Sequence, residues 1–225
     1  MATSQQKLEA LALEQGSQEW LDYKVGKVSA SRIADITAKL RNGVAGASRA
    51  TYLGELIAER LTGISYGSYS TPAMQWGTEH EPMARAAYQF RALMPVTRVG
   101  CILHPDIDNA LCSPDGLIGS DGMVEFKCPN TSTHCDFLLG AEIPGRYLQQ
   151  MQWQLACAQR QWVDYVSFDP RLPEHLQLWV QRVPRDDRLI VALQVEVMGF
   201  LHDLELRLQA LAKIQGDIRD RNSRS

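Results

Sequence analysis

The stretch from Ser113 to Pro129, Ser-Pro-Asp-Gly-Leu-Ile-Gly-Ser-Asp-Gly-Met-Val-Glu-Phe-Lys-Cys-Pro, constrains the fold of this chain more than any other. Two short strand-forming runs, 115–118 and 123–128, flank a Gly/Ser/Asp cluster at 119–122 of the kind that closes tight turns. The pattern predicts a β-hairpin. Alternate residues of a strand share a face, so Glu125 and Lys127 project together, about 6–7 Å apart. Pairing about the turn brings Asp115 alongside Glu125, within the roughly 4.5–8 Å of direct and diagonal cross-strand neighbours. Two carboxylates converging beside an ammonium are costly to hold together, and a divalent metal ion relieves that cost. The same Asp-x9-Glu-x-Lys pattern also suits an exposed hairpin with an ordinary Glu–Lys pair. By itself it leaves both readings open.

The texture on either side suggests one α/β domain spanning 1–225, with a mixed central sheet flanked by helices. Upstream, Ser17 caps a short helix to about Lys24, and a second helix starts near 29–31. The spacing Tyr52/Leu53/Leu56/Ile57/Leu61 predicts an amphipathic helix over 49–62 that Gly63 ends. Loops are expected at 41–48 and 64–71. Pro72 opens a helix to about Met94, with Gly77 and Pro82 as candidate interruptions. Strands follow at 96–103, 110–112 and in the hairpin, then helices at 132–139 and 145–159, strands at 162–169 and 176–183, and a long helix over 185–215. The polar segment 216–225 is expected to be a flexible tail.

Composition excludes several classes. The 225 residues are 45% hydrophobic and 22% charged, with no apolar run long enough for a bilayer and no signal-peptide layout at the N-terminus. The expected location is cytoplasmic, with no membrane partner. Five scattered cysteines without a Cys-x-x-Cys pair give poor support to structural zinc or an iron–sulfur cluster. The net charge of −3 does not announce a nucleic-acid binder. Even so, Lys24, Lys27, Arg32, Lys39, Arg41 and Arg49 face only Asp35 in sequence, and such a cluster suits either phosphate contacts or a solvated surface.

Further polar residues fit a metal-assisted hydrolytic site. Glu79 or Glu81, on the helix before the sheet, is placed to add an acid beside the hairpin. Gln150, in the amide-rich helix, is placed to orient a water or a phosphate. The five histidines share no metal-ligand spacing.

Four blocks together resemble the phage lambda exonuclease family, the YqaJ-type viral recombinases of the restriction-endonuclease-like superfamily. They are Gln15-Gly16-Ser17-x-x-Trp20 with Gly26-x-x-Ser29-Ala30-Ser31; Trp76-Gly77-x-x-x-Glu81; Ser113-Pro114-Asp115-Gly116 with Glu125-Phe126-Lys127-Cys128-Pro129; and Tyr147-x-x-Gln150-x-Gln152. The resemblance implies a restriction-endonuclease-like fold and a Mg²⁺-dependent exonuclease, with Mn²⁺ able to substitute. Such an enzyme digests one strand of linear double-stranded DNA from its 5′ end and leaves a 3′ overhang for a single-strand annealing protein. It also implies a homotrimer around DNA and a phage or prophage gene in a bacterial host. By position, Glu81, Asp115, Glu125 and the Phe126 carbonyl match the family's metal ligands. Lys127 matches its catalytic lysine and Gln150 its active-site glutamine. Lys24, Ser31 and Ser113 fall at its 5′-phosphate site, and Met74 at its apolar strand-separating wedge. Two positions depart: Lys24 replaces an arginine, and Thr133, beside His134, stands where a second phosphate-anchoring arginine is expected. The alternatives are a restriction-like endonuclease and a non-catalytic DNA-binding protein on the same fold; intact Glu81, Asp115, Glu125 and Lys127 argue against the second.

Overall fold

The computed structural model describes residues 3–39, 43–44, 46–66 and 71–222. Of the loop expected at 41–48, residues 41, 42 and 45 lie outside the described residues and 47–48 already belong to the following helix; of that at 64–71, residues 67–70 lie outside. The chain opens with helices α1 (Ser4–Ala12) and α2 (Gln18–Lys24), strand β1 (Val28–Ser29), α3 (Ile33–Thr37), α4 (Ala47–Thr62) and α5 (Pro72–Ala92). Strands β2 (Ile102–Leu103), β3 (Ala110–Cys112), β4 (Gly116–Ile118) and β5 (Gly122–Lys127) follow. Then come α6 (Thr131–Leu138), α7 (Gly145–Ala158), β6 (Trp162–Phe168), β7 (Leu178–Pro184) and α8 (Asp187–Asn222).

Local chemistry accounts for the helix ends. The Thr71 hydroxyl accepts from Met74 N–H and Pro72 occupies the first turn of α5, where its missing N–H costs nothing. Helix α5 then continues through Gly77 and Pro82 without a break. Helix α4 buries Tyr52, Leu53 and Leu56 and stops at Gly63, whose φ of +71° favours glycine.

The hairpin forms as expected, with Gly116 opposite Val124, Leu117 opposite Met123 and Ile118 opposite Gly122. Its glycines permit close approach: a Cβ on Gly116 would lie 2.1 Å from Val96 Cγ1, and one on Gly122 would lie 2.2 Å from the Trp162 ring. Strand β5 continues into a parallel pair with β6, and β6 pairs antiparallel with β7, giving the mixed order β4-β5-β6-β7. Alternation along β5 and β6 divides the core. Met123, Val163 and Tyr165 pack towards α6 and α7 with Phe137, Met151 and Leu155. Val124, Phe126 and Val166 pack on the other face against Ala84 and Tyr88 of α5. Complete burial of each such side chain contributes about 1.5–3 kcal/mol.

The single central sheet expected from the sequence is divided. Strands β1, β3 and β2 form a separate three-stranded sheet, and the strand expected over 96–103 shrinks to Ile102–Leu103 and a bridge between Thr97 and Leu117. Helix α1, absent from the sequence reading, explains the loss. Gly100 N–H donates to Leu11 O at 2.8 Å and Cys101 N–H to Ala10 O at 2.7 Å, so these donors serve a helix end and not a neighbouring strand. At the other end, α8 runs to Asn222, past the Gly216 where the sequence reading places the tail, and residues 223–225 lie outside the described residues. The five cysteines are free. No helix among the described residues is long and apolar enough to cross a membrane.

Candidate active site

The residues at the mouth of the hairpin converge as the strand arithmetic requires. Continuing the β4–β5 register by one step sets Asp115 opposite Glu125, and Asp115 Oδ2 accepts from Phe126 N–H at 2.6 Å. Glu125 is 2% exposed, and its side chain points towards α7. There Gln150 Nε2 donates to Oε1 at 2.6 Å and Gln154 Nε2 donates to Oε2 at 2.7 Å. The two amides come from one helix face because they are four residues apart. Lys127 Nζ donates to Glu125 Oε1 as well. Its ammonium lies 5.2 Å from the Tyr147 ring centroid.

The charges in this group govern one another. Burial pushes the Asp115 carboxyl well above the usual carboxylate range, and the Glu125 charge adds to the effect. Burial also raises Glu81, against the opposing pull of Arg85. For Lys127 burial acts downwards, but the Glu125 and Asp115 carboxylates overcome it and raise the ammonium above its ordinary value.

Glu81 projects from α5 and is ion-paired with Arg85 one turn on, while Glu79 is exposed. Glu81 and Arg85 line a cleft of about 280 Å³ with Gln15, Trp20, Thr78 and Arg98. A second cleft of about 480 Å³ is lined by Met74, Thr78, Lys127, Thr133, Arg146 and Tyr147, among others. Thr78 lines both. Gln15 Nε2 donates to Val99 O and Pro114 O, each at 2.8 Å, and so fixes the segment that presents Asp115.

Comparison with known proteins identifies the family. The model of the YqaJ-like viral recombinase domain matches residues 19–161, more than half of the chain. The chain belongs to that family. No curated protein matches it at a significant level. Among solved structures, the alkaline exonuclease LHK-Exo from Laribacter hongkongensis is 44% identical, with a TM-score of 0.84 over 90% of this chain and 100% of that one. Its complex with dAMP matches equally well. A phage-related exonuclease from Haemophilus somnus 129PT, 16% identical, shares the fold alone, with a TM-score of 0.64 over 84% of this chain and 96% of that one. The YqaJ-like chain is accordingly a nuclease.

In this YqaJ-like domain Asp115, Glu125, Phe126, Lys127 and Gln150 come together, and Glu81 stands close enough to influence them electrostatically. Lys24 and Ser113 meet on Trp20: Lys24 Nζ lies 3.7 Å from its ring centroid, and Trp20 Nε1 donates to Ser113 Oγ at 3.0 Å. Burial lowers the Lys24 ammonium below its ordinary range. Ser31 is exposed and its hydroxyl lies 3.3 Å from that of Ser29, with no bond to Lys24 or Ser113. Met74 is exposed at the cleft that contains Lys127. His134 is fully buried between Ser167 Oγ and Leu176 O, a structural role that removes it from the phosphate site.

The basic segment near the N-terminus is largely paired within the protein. Arg32 binds Asp35 and Glu55, Lys39 binds Glu196, and Arg49 binds Asp203. Arg41 lies outside the described residues. Sequence reasoning missed Arg85, Gln154 and Arg146. The first two carried a readable signal, a spacing of four from Glu81 and from Gln150.

The donor set fits a hard divalent cation: three carboxylates and a backbone carbonyl, with two of the carboxyls raised by burial and mutual repulsion. Among the described residues no three His, Cys, Asp or Glu side chains are drawn closely enough together to hold an ion as they stand. Arg85 on Glu81 and Lys127 on Glu125 supply the compensating charge.

Proposed function

We propose that the protein is a Mg²⁺-dependent exonuclease that digests one strand of linear double-stranded DNA in the 5′-to-3′ direction. It leaves 3′ single-stranded overhangs for recombination by strand annealing. One observation carries this reading: Asp115 and Glu125 lie across the hairpin from each other, with Lys127 on the same face as Glu125 and opening into a cleft.

Glu81, Asp115, Glu125 and the Phe126 carbonyl are the groups that would hold Mg²⁺, or Mn²⁺ in its place. Such an ion lowers the pKa of bound water and offsets charge developing on a phosphate. Lys127, hydrogen-bonded to Glu125, is placed as a positive group for the scissile phosphate or the attacking water. Gln150 fixes the orientation of Glu125. In the reaction a water oxygen bonds to phosphorus as the P–O3′ bond breaks, releasing a 5′-mononucleotide. The dAMP in the LHK-Exo complex is a molecule of that product class.

Lys24, Ser31 and Ser113 are the proposed contacts for the 5′-phosphate, and Met74 the apolar wedge against the duplex. The family resemblance further supports a homotrimer encircling DNA, a single-strand annealing protein as partner, and a bacterial cytoplasm as the place of action.

The test is incubation of wild type and Asp115→Ala with linear and covalently closed circular duplexes, in Mg²⁺ or EDTA. The expected result is loss of linear DNA only, requiring Mg²⁺ and abolished in the variant. Cleavage of the circle would favour an endonuclease, and unchanged activity of the variant would remove the hairpin from the chemistry.

A further inference from the structure

Arg146 contrasts with four other arginines near the sheet and the basic segment. Arg32, Arg49, Arg171 and Arg182 are each paired with a carboxylate. Arg146 is exposed, and no carboxylate partner is seen for it among the described residues. It occupies the first turn of α7, a turn that contains no acid, where the helix dipole disfavours a cation. Its orientation is set by Tyr147: the guanidinium carbon lies 4.6 Å from the ring centroid, and Nη2 donates to Tyr147 Oη at 2.9 Å. That bond uses one of five N–H donors and leaves the others for a ligand. The same ring lies 5.2 Å from Lys127 Nζ, so two cations are arranged around one aromatic side chain. Both line the cleft that also holds Met74 and Thr133.

We propose that Arg146 binds a backbone phosphate of the DNA strand held in the Lys127 cleft. The inference rests on the reading of the protein as a DNA nuclease. A planar guanidinium pre-set by stacking is suited to bidentate contact with a phosphodiester, and Arg146 supplies such a fork in a cleft where Thr133 cannot. It binds substrate beside the reacting centre and takes no part in bond cleavage.

The experiment is equilibrium binding of a linear duplex in EDTA, so that the strand is not cut, over a series of salt concentrations. Wild type, Arg146→Ala and Arg146→Lys are compared, with melting temperatures as a check on folding. Arg146→Ala is expected to weaken binding roughly tenfold at 0.1 M salt and to reduce the slope of log affinity against log salt by about 1. Arg146→Lys is expected to keep the slope and lose part of the affinity. An Arg146→Ala protein with wild-type affinity and slope overturns the proposal while leaving the nuclease reading intact. A wild type that fails to bind duplex in EDTA overturns the proposal, while the nuclease reading is decided by the digestion of linear and circular DNA in Mg²⁺.

Discussion

Gln154 Nε2 lies 2.7 Å from Glu125 Oε2, a contact between two fully buried side chains at the floor of the candidate site. An ionised carboxylate only accepts hydrogen bonds, so the amide must turn its NH₂ inwards. The consequence is visible on the other side of the amide, where Gln154 Oε1 is buried with no hydrogen-bond partner among the described residues. An unmade buried hydrogen bond costs about 1–3 kcal/mol. A core position filled this way holds the acid at a cost in stability.

Replacement of Gln154 by Met therefore has opposing effects on stability. It removes the orphaned oxygen but leaves Glu125 Oε2 without its donor. The net change in unfolding free energy is expected to stay within about 1 kcal/mol. Activity is expected to respond far more, with kcat falling at least roughly tenfold and KM for DNA little changed, because the acid and not the DNA surface is disturbed. Urea unfolding and steady-state digestion of a linear duplex measure the two quantities. Parallel losses of stability and activity would reduce Gln154 to a packing residue.

The extent to which the sequence specifies this site follows from how local the rules are. The hairpin was legible because strand alternation and a Gly-rich turn fix register within seventeen residues, and Asp115, Glu125 and Lys127 fall where those rules place them. Gln154 follows the helical period from Gln150 and could have been found. The division of the sheet was not legible. It depends on the end of α1 capturing the N–H groups of Gly100 and Cys101, nearly ninety residues away in sequence. The pairing of the basic segment was hidden for the same reason, since Lys39 and Arg49 meet Glu196 and Asp203 of α8. His134 appeared as a polar neighbour of the phosphate site, and only the packing of α6 on β6 makes it a core residue.

The Arg85–Glu81 pair predicts how the protein responds to metal. Arg85 compensates Glu81 in the structure, so an ion and this guanidinium compete for one carboxylate. Arg85→Met should lower the melting temperature in EDTA, because it leaves Glu81 half-buried without its ion-pair partner. Added Mg²⁺ should then raise the melting temperature of the variant by more than that of wild type, since binding to the folded state stabilises it by mass action. Thermal unfolding with and without Mg²⁺ gives both numbers. Equal Mg²⁺-induced shifts in the two proteins would argue that Glu81 does not meet the ion.

The proposed 5′-phosphate site gives a prediction about the DNA end. Lys24 is seated on Trp20, and Trp20 in turn binds Ser113, so the ammonium and the serine hydroxyl are coupled through one indole. A lysine offers a point charge without the two-pronged fork of arginine, and burial weakens its hold on its proton. Thr133 adds no charge, and His134 is committed to Ser167 and Leu176. If these residues meet the DNA end as proposed, a weak dependence on the 5′-phosphate is expected. Initial digestion rates of duplexes with 5′-phosphoryl and 5′-hydroxyl ends are expected to agree within a few-fold, and Lys24→Arg to widen the gap in favour of the phosphorylated end. A large preference already present in wild type would locate the end-binding charge elsewhere, and Arg98, exposed in the cleft beside Glu81, would be the first residue to replace.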